Sequence, residues 1–152
     1  MRSDRKSSAQ LKTLLTLQGL RVAEAEFSLA DAQAAHKTAA ATEEDATRKL
    51  RLQESELASL MASASFDPTA FCIKGGMVVN HAEGLQSARM QTEDAQANED
   101  RCQQEWQQGR YQNDWLDVRY RNTEREVRRK DQERAMAEAA TTRMLKPREA
   151  GR

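Results

Sequence analysis

Four side chains of this chain could hold a metal or act in catalysis, namely His36, Cys72, His81 and Cys102. Structural zinc usually takes its ligands in pairs a few residues apart, and these four are scattered along the chain. A Gly-rich phosphate loop is missing, and no nucleophile has a base close to it in sequence. We therefore expect no metal site, no cofactor and no catalytic residue. The sequence predicts a protein that is not an enzyme.

The composition predicts helices with a narrow core. Of 152 residues, 38% are hydrophobic, 32% charged and 5% aromatic, and the mean hydropathy is −0.89. Much of the apolar share is alanine, which fills a seam between two helices better than a thick core. High charge with few aromatics also occurs in disordered chains, but the seven-residue periodicity described below favours helix.

A segment with proline and a Gly-Gly pair divides the chain into two nearly equal arms. Asp67 and Pro68 are typical of an N-cap and a first helical residue. Gly75 and Gly76 are expected to stop that short turn, and Asn80 to cap the second arm. We predict helix one over about residues 5–63, a tip at 64–80, helix two over about 81–145 and a tail at 146–152.

A seven-residue spacing runs through both arms and predicts which side chains face each other. In the first arm the seam positions are Leu15, Val22, Leu29, His36, Glu43, Leu50 and Leu57, with Leu11, Gln18, Ala25, Ala32, Ala39, Ala46, Gln53 and Leu60. In the second arm they are Leu85, Thr92, Glu99, Trp106, Asn113, Tyr120 and Val127, with Ala88, Ala95, Cys102, Gly109, Leu116 and Thr123. After a weaker stretch, Ala137 and Met144 resume the seam.

The predicted fold class is all-α, a long antiparallel two-helix coiled-coil hairpin forming a single domain. With the reversal near residue 72, the numbers of paired residues add up to roughly 144 and Trp106 lies near His36. Each arm extends about 90 Å at 1.5 Å per residue. The expected shape is a rod with both termini at one end.

A second apolar stripe lies outside the seam of the first arm. It consists of Leu17, Leu20 and Phe27, with Leu14 on its flank; Tyr111 and Trp115 fall at outward positions of the second arm. Exposed apolar and aromatic side chains suggest a docking face for another protein. The alternative is a local register shift that turns some of them inward.

Basic residues collect at what we call the open end, residues 1–30 and 119–152. This part holds 16 basic and 9 acidic residues, while the whole chain is neutral. Arg125, Arg128 and Arg129 lie in its most basic stretch, where acidic residues are interleaved as on an ordinary solvated helix face. We expect an acidic protein partner here rather than nucleic acid.

The tip is longer than the 2–8 residues usual between helices, and it carries several apolar side chains. Phe66, Phe71 and Ile73 are the candidates for binding a partner. Closing into a small cap over the helix ends is the alternative, and we expect a mixture of both.

The two cysteines do not form a disulfide framework, so free thiols and a reducing compartment are expected. We see neither a signal peptide nor an apolar run long enough for a membrane span. A cytoplasmic protein is therefore expected, most simply a monomer.

The chain resembles the central stalk family of type III secretion, flagellar FliJ and injectisome YscO. Residues 20–26 are similar to a leucine-arginine and alanine-glutamate stretch near the family's amino terminus, and residues 130–135 to a basic-acidic stretch near its carboxyl end. Two long antiparallel helices of this size are the family's fold.

This resemblance implies an accessory protein at the inner membrane, on its cytoplasmic side. The open end, through Leu17, Leu20, Arg21, Phe27 and the three arginines, would enter the pore of a hexameric secretion ATPase. The tip would reach an export gate protein, and export chaperones are further partners that the family implies. The alternative is a generic coiled-coil scaffold or tether that mediates protein assembly.

Overall fold

The computed structural model describes the backbone of residues 2–145 and the side chains of residues 5–143. It contains two helices, α1 (Arg2–Ala62) and α2 (Pro68–Leu145), and is all-α over this range. The predicted tail at 146–152 and the seam position Met144 lie outside what is described.

The helices are joined by residues 63–67, a much shorter connection than the predicted tip. The backbone N–H of Thr69 donates to the Asp67 carboxylate at 2.9 Å, and the N–H of Phe71 donates to the Asp67 carbonyl at 3.0 Å. Asp67 therefore caps α2, and Pro68 occupies the first helical position, where its missing N–H costs nothing. The predicted cap is confirmed, but α2 begins here and not near residue 81.

Gly75 and Gly76 lie inside α2, so the prediction that they stop the helix is wrong. Neither has a positive φ, and a Cβ built on either would meet nothing within 4 Å. A glycine costs a helix interior only about 0.5–1 kcal/mol relative to alanine, and packing of the flanking turns offsets that cost. Asn80 also lies inside α2, so the prediction that it caps the start of the second arm is wrong.

We expect Gly75→Ala and Gly76→Ala each to raise the free energy of unfolding by about 0.5–1 kcal/mol, because alanine restricts the unfolded chain and fits the space available. Urea unfolding followed by circular dichroism at 222 nm measures this. Gly84→Ala, at another open glycine of α2, is the control and should give a gain of the same size. A loss of stability at Gly75 or Gly76 alone would mean that the pair is needed for a conformation other than this helix.

The chain divides into two compact units. We call Met1–Ala23 with Gln108–Arg152 the terminal unit, and Glu24–Gln107 the hairpin unit. In the hairpin unit the ion pairs Lys74–Glu56 and Arg89–Glu43 and the side-chain contact His36–Glu99 show that α1 and α2 run antiparallel. In the terminal unit the pairs Arg5–Asp131 and Gln18–Gln112 show the same.

In each of these five pairs the residue numbers add up to between 130 and 136, so the predicted value of 144 is wrong. The difference follows from the reversal at residues 63–67. One consequence is that His36 lies against Glu99, and not near Trp106 as predicted.

The seam predicted from the seven-residue spacing is confirmed for both helices up to Val127. All its positions in α1 and α2 over this range are buried or half-buried, the most buried being Ala32, Leu85, Ala88, Gln18 and Cys102. Ala137, however, is exposed, so the predicted continuation is wrong. Ala137 lies six residues beyond Asp131, which pairs with Arg5 near the start of α1.

Candidate functional site

The outward stripe of α1 is exposed, as the register predicts. In the terminal unit Leu14, Leu17 and Leu20 are at least half exposed, and in the hairpin unit Phe27 is three-quarters exposed. The alternative of a local register shift is therefore wrong. Whether the stripe binds a partner stays a prediction.

On α2, Tyr111 and Trp115 are exposed as predicted, and Val118 extends the same stripe. Sequence reasoning missed Val118, although its spacing of three from Trp115 and seven from Tyr111 is the helical signal for one face. The Arg119 guanidinium lies over the Trp115 ring, 5.1 Å from its centre. Such a cation–π contact at an exposed site contributes about 0.5–1 kcal/mol.

A shallow groove of about 350 Å³ follows this stripe. Its lining residues are Trp115, Val118, Arg119, Asn122, Thr123 and Glu126. Five of these six come from outside the seam, so the groove opens along the flank of the helix pair. Its titratable lining residues are Arg119 and Glu126.

The opposite flank of α2 is occupied by ion pairs. Arg121 pairs with Asp117 at 2.8 Å, and Arg5 of α1 pairs with Asp131 at 2.9 Å. Glu124 accepts hydrogen bonds from Arg128 at 3.2 Å and from the Tyr120 hydroxyl at 2.8 Å. The bond to this carboxylate raises the pKa of Tyr120. The two flanks of the terminal unit therefore differ in chemistry, one being apolar and the other ionic.

The three arginines singled out from the sequence, Arg125, Arg128 and Arg129, are exposed and share the outer face of α2. Arg128 pairs with Glu124, and Arg129 pairs with Glu133 at 3.5 Å. Exposed pairs of this kind contribute little to stability, so they can be exchanged for contacts with a partner. Arg21, on α1, is also exposed.

Charge is separated between the two units. The sequence of the terminal unit holds 17 basic and 9 acidic residues, and that of the hairpin unit holds 7 basic and 15 acidic. The terminal unit is thus the positive one, by eight charges, and the hairpin unit is negative by the same amount. An acidic partner is attracted to the former.

Near the connection, the predicted tip residues differ in exposure. Phe66 and Ile73 are more than half exposed, while Phe71 is half-buried and packs its ring against that of Phe66, with centroids 5.5 Å apart. The Lys74–Glu56 ion pair ties this start of α2 to α1. The hairpin unit therefore has the expected mixture of packed and exposed apolar side chains.

Cys72 is exposed, Cys102 is buried in the seam, and both are free thiols. Among the described residues, no three His, Cys, Asp or Glu side chains are grouped so that they could hold a metal ion. Within the same part of the chain, no helix is apolar over a length that would cross a membrane.

Comparison with known proteins gave no match among family models, curated proteins or solved structures.

Proposed function

We propose that this chain is the central stalk of a type III secretion apparatus, an accessory protein without chemistry of its own. Its terminal unit enters the pore of a hexameric secretion ATPase, and its hairpin unit reaches an export gate protein. Export chaperones are further partners. The protein acts as a monomer on the cytoplasmic side of the inner membrane, with α1 and α2 wound as an antiparallel coiled coil.

The observation that carries this proposal is the combination of positive charge and exposed apolar side chains in the unit that holds the start of α1 and the end of α2. Leu17, Leu20, Arg21 and the three outer arginines of α2 are all exposed there. A ring pore that accepts a helix pair contacts the outer surface of the pair, where these basic and apolar side chains lie. The regular seven-residue spacing of buried positions supports the coiled coil.

The hairpin unit supplies the second contact in this proposal. Phe66 and Ile73 expose apolar surface beside the connection, and the Phe71 ring packs against the Phe66 ring. Two binding surfaces on one helical protein are what a stalk needs to couple an ATPase to a distant gate.

The test is stimulation of the cognate secretion ATPase by the purified chain. We expect the triple charge reversal R125E/R128E/R129E to abolish stimulation, because it changes the charge of the inserted unit by six. The matched control is R48E/K49E/R51E in the hairpin unit, where Arg48 and Lys49 also form ion pairs along their own helix. The control should stimulate like the native chain. Full stimulation by the first variant would contradict the proposal.

A second candidate is a scaffold or tether that pairs through its exposed stripes, favoured by the exposure of Leu20 and Phe27. Light scattering at micromolar concentration separates the two. The stalk is expected to be monomeric, and a stable dimer would favour the scaffold.

A further inference from the structure

The groove itself is lined by α2 alone, and the α1 side chains on the same flank of the terminal unit are found from the pairing of the two helices. Gln18 of α1 donates from Nε2 to Gln112 Oε1 at 3.2 Å and to the Gly109 carbonyl at 3.2 Å. Arg119 lies two helical turns beyond Gln112, and Leu14 lies one turn before Gln18, so antiparallel pairing puts both on this flank. Leu17 and Trp115 lie beside Leu14 and Arg119 on the helix surfaces, further from the seam.

We call Leu14, Leu17, Trp115, Val118 and Arg119 the docking edge. The four apolar members are each between 50% and 58% exposed. Helix pairs that are complete by themselves keep apolar residues in the seam, whereas a second apolar stripe on one flank of both helices is the pattern of a bundle that is short of one helix.

The charges around the docking edge indicate the chemistry of the missing helix. Arg119 is itself basic, and Arg21 and Arg125 border the edge, one helical turn from Leu17 and two turns from Val118. Glu126 is the one acidic residue that lines the groove. By contrast, Asp117, Glu124 and Asp131 lie on the opposite flank and are held there in ion pairs or hydrogen bonds. In α1, the described residues of the terminal unit, 5–23, contain four basic and no acidic side chains.

We propose that the docking edge binds an amphipathic helix of a partner protein, with its apolar stripe on Trp115 and the leucines and its carboxylates on the bordering arginines. The result is a three-helix bundle over the terminal unit. This mode, helix in groove, uses anchors spaced three and four residues apart, and Trp and Arg are the residues that most often dominate such contacts. The proposal does not depend on the stalk function, because any protein could present such a helix.

The probe is an 18-residue peptide with leucines on one helical stripe and glutamates beside it, which spans about 27 Å when helical. A scrambled peptide of equal composition lacks the stripe, and a third peptide has lysine in place of glutamate. Each carries a fluorophore, and the full chain is titrated into it while anisotropy is recorded. We expect micromolar binding of the first peptide only.

Trp115→Ala and Arg119→Glu should each weaken binding at least tenfold, which equals about 1.4 kcal/mol. Leu52→Ala is the control for the first, since Leu52 is 58% exposed like Trp115 but lies in the hairpin unit. Arg121→Glu is the control for the second, because it makes the same charge change on the ionic flank. Both controls should bind within twofold of the native chain, and circular dichroism should show all four variants to be folded.

Equal binding of the scrambled peptide would overturn the proposal, because attraction by net charge would then suffice. Unchanged binding by Trp115→Ala would overturn it as well. A single-stranded oligonucleotide that displaces the peptide at lower concentration would assign the edge to nucleic acid, and a chain dimer that Trp115→Ala dissociates would assign it to a second copy. Full ATPase stimulation by R125E/R128E/R129E would contradict the stalk function but leave the peptide results with the native chain unaffected, so the two proposals fail separately.

Discussion

Leu85→Ala is expected to lower the free energy of unfolding by about 3 kcal/mol, the largest loss from one truncation in the hairpin unit. Leu85 is 6% exposed, whereas most leucines of the seam are only half-buried. Arg89 of α2, one helical turn after Leu85, pairs with Glu43 of α1. This pairing places Leu85 beside Ala46 and Thr47 of α1. Such small neighbours cannot fill the space of a lost isobutyl group, so a cavity or a wetted gap remains.

Urea unfolding monitored at 222 nm measures this loss, with Leu52→Ala as the control. Leu52 lies in the same unit on the outer side of α1 and is 58% exposed. Its truncation removes the same atoms as that of Leu85, but from water, and should change stability by no more than about 0.5 kcal/mol. Similar losses at the two positions would mean that the seam is not where the unit keeps its core.

Replacing the His36–Glu99 pair by two leucines is expected to stabilise the hairpin unit by about 1–3 kcal/mol. His36 Nδ1 and Glu99 Oε2 lie 2.6 Å apart across the two helices, with side chains 30% and 22% exposed. Both occupy seam positions that a leucine would fill. Polar groups withdrawn from water recover only part of their hydration through one contact, so apolar replacement of both is favourable.

Each single substitution has the opposite sign. Glu99→Leu leaves the imidazole, and His36→Leu leaves the carboxylate, half-buried without its partner, at a cost of about 1–3 kcal/mol. Thermal unfolding of the two single variants and the double variant forms a double-mutant cycle. Stabilisation by either single change would show that the pair does not interact in solution.

The pair also bears on the register of the two helices. Alanines repeat every seven residues around it, and such layers look nearly alike after a shift of one heptad. A polar pair at one level is satisfied in one register only, which is the best-attested use of buried polar groups in helix pairs. We therefore regard the contact as costing stability while specifying the alignment.

The periodicity of the sequence was sufficient to assign the seam. A repeat of 3.5 residues per turn determines which side of a helix faces its partner, so the spacing alone assigns Leu15, Val22 and Leu29 to the seam. The same reasoning put Leu20, Tyr111 and Trp115 outside. The N-cap at Asp67 and Pro68 can also be predicted from the sequence, because capping depends only on neighbouring residues.

What the sequence could not determine is how the two patterns align. A repeating seam is satisfied after any shift of seven residues, and the alignment depends on where the chain reverses. The penalty for Gly75 and Gly76 in a helix is about 1 kcal/mol each, and packing against α1 exceeds it, so α2 starts at Pro68 and the whole pairing moves. Only the tertiary structure therefore shows that Glu99 meets His36, and that the flank beside Gln112 gathers apolar side chains while Asp117, Glu124 and Asp131 lie on the other flank.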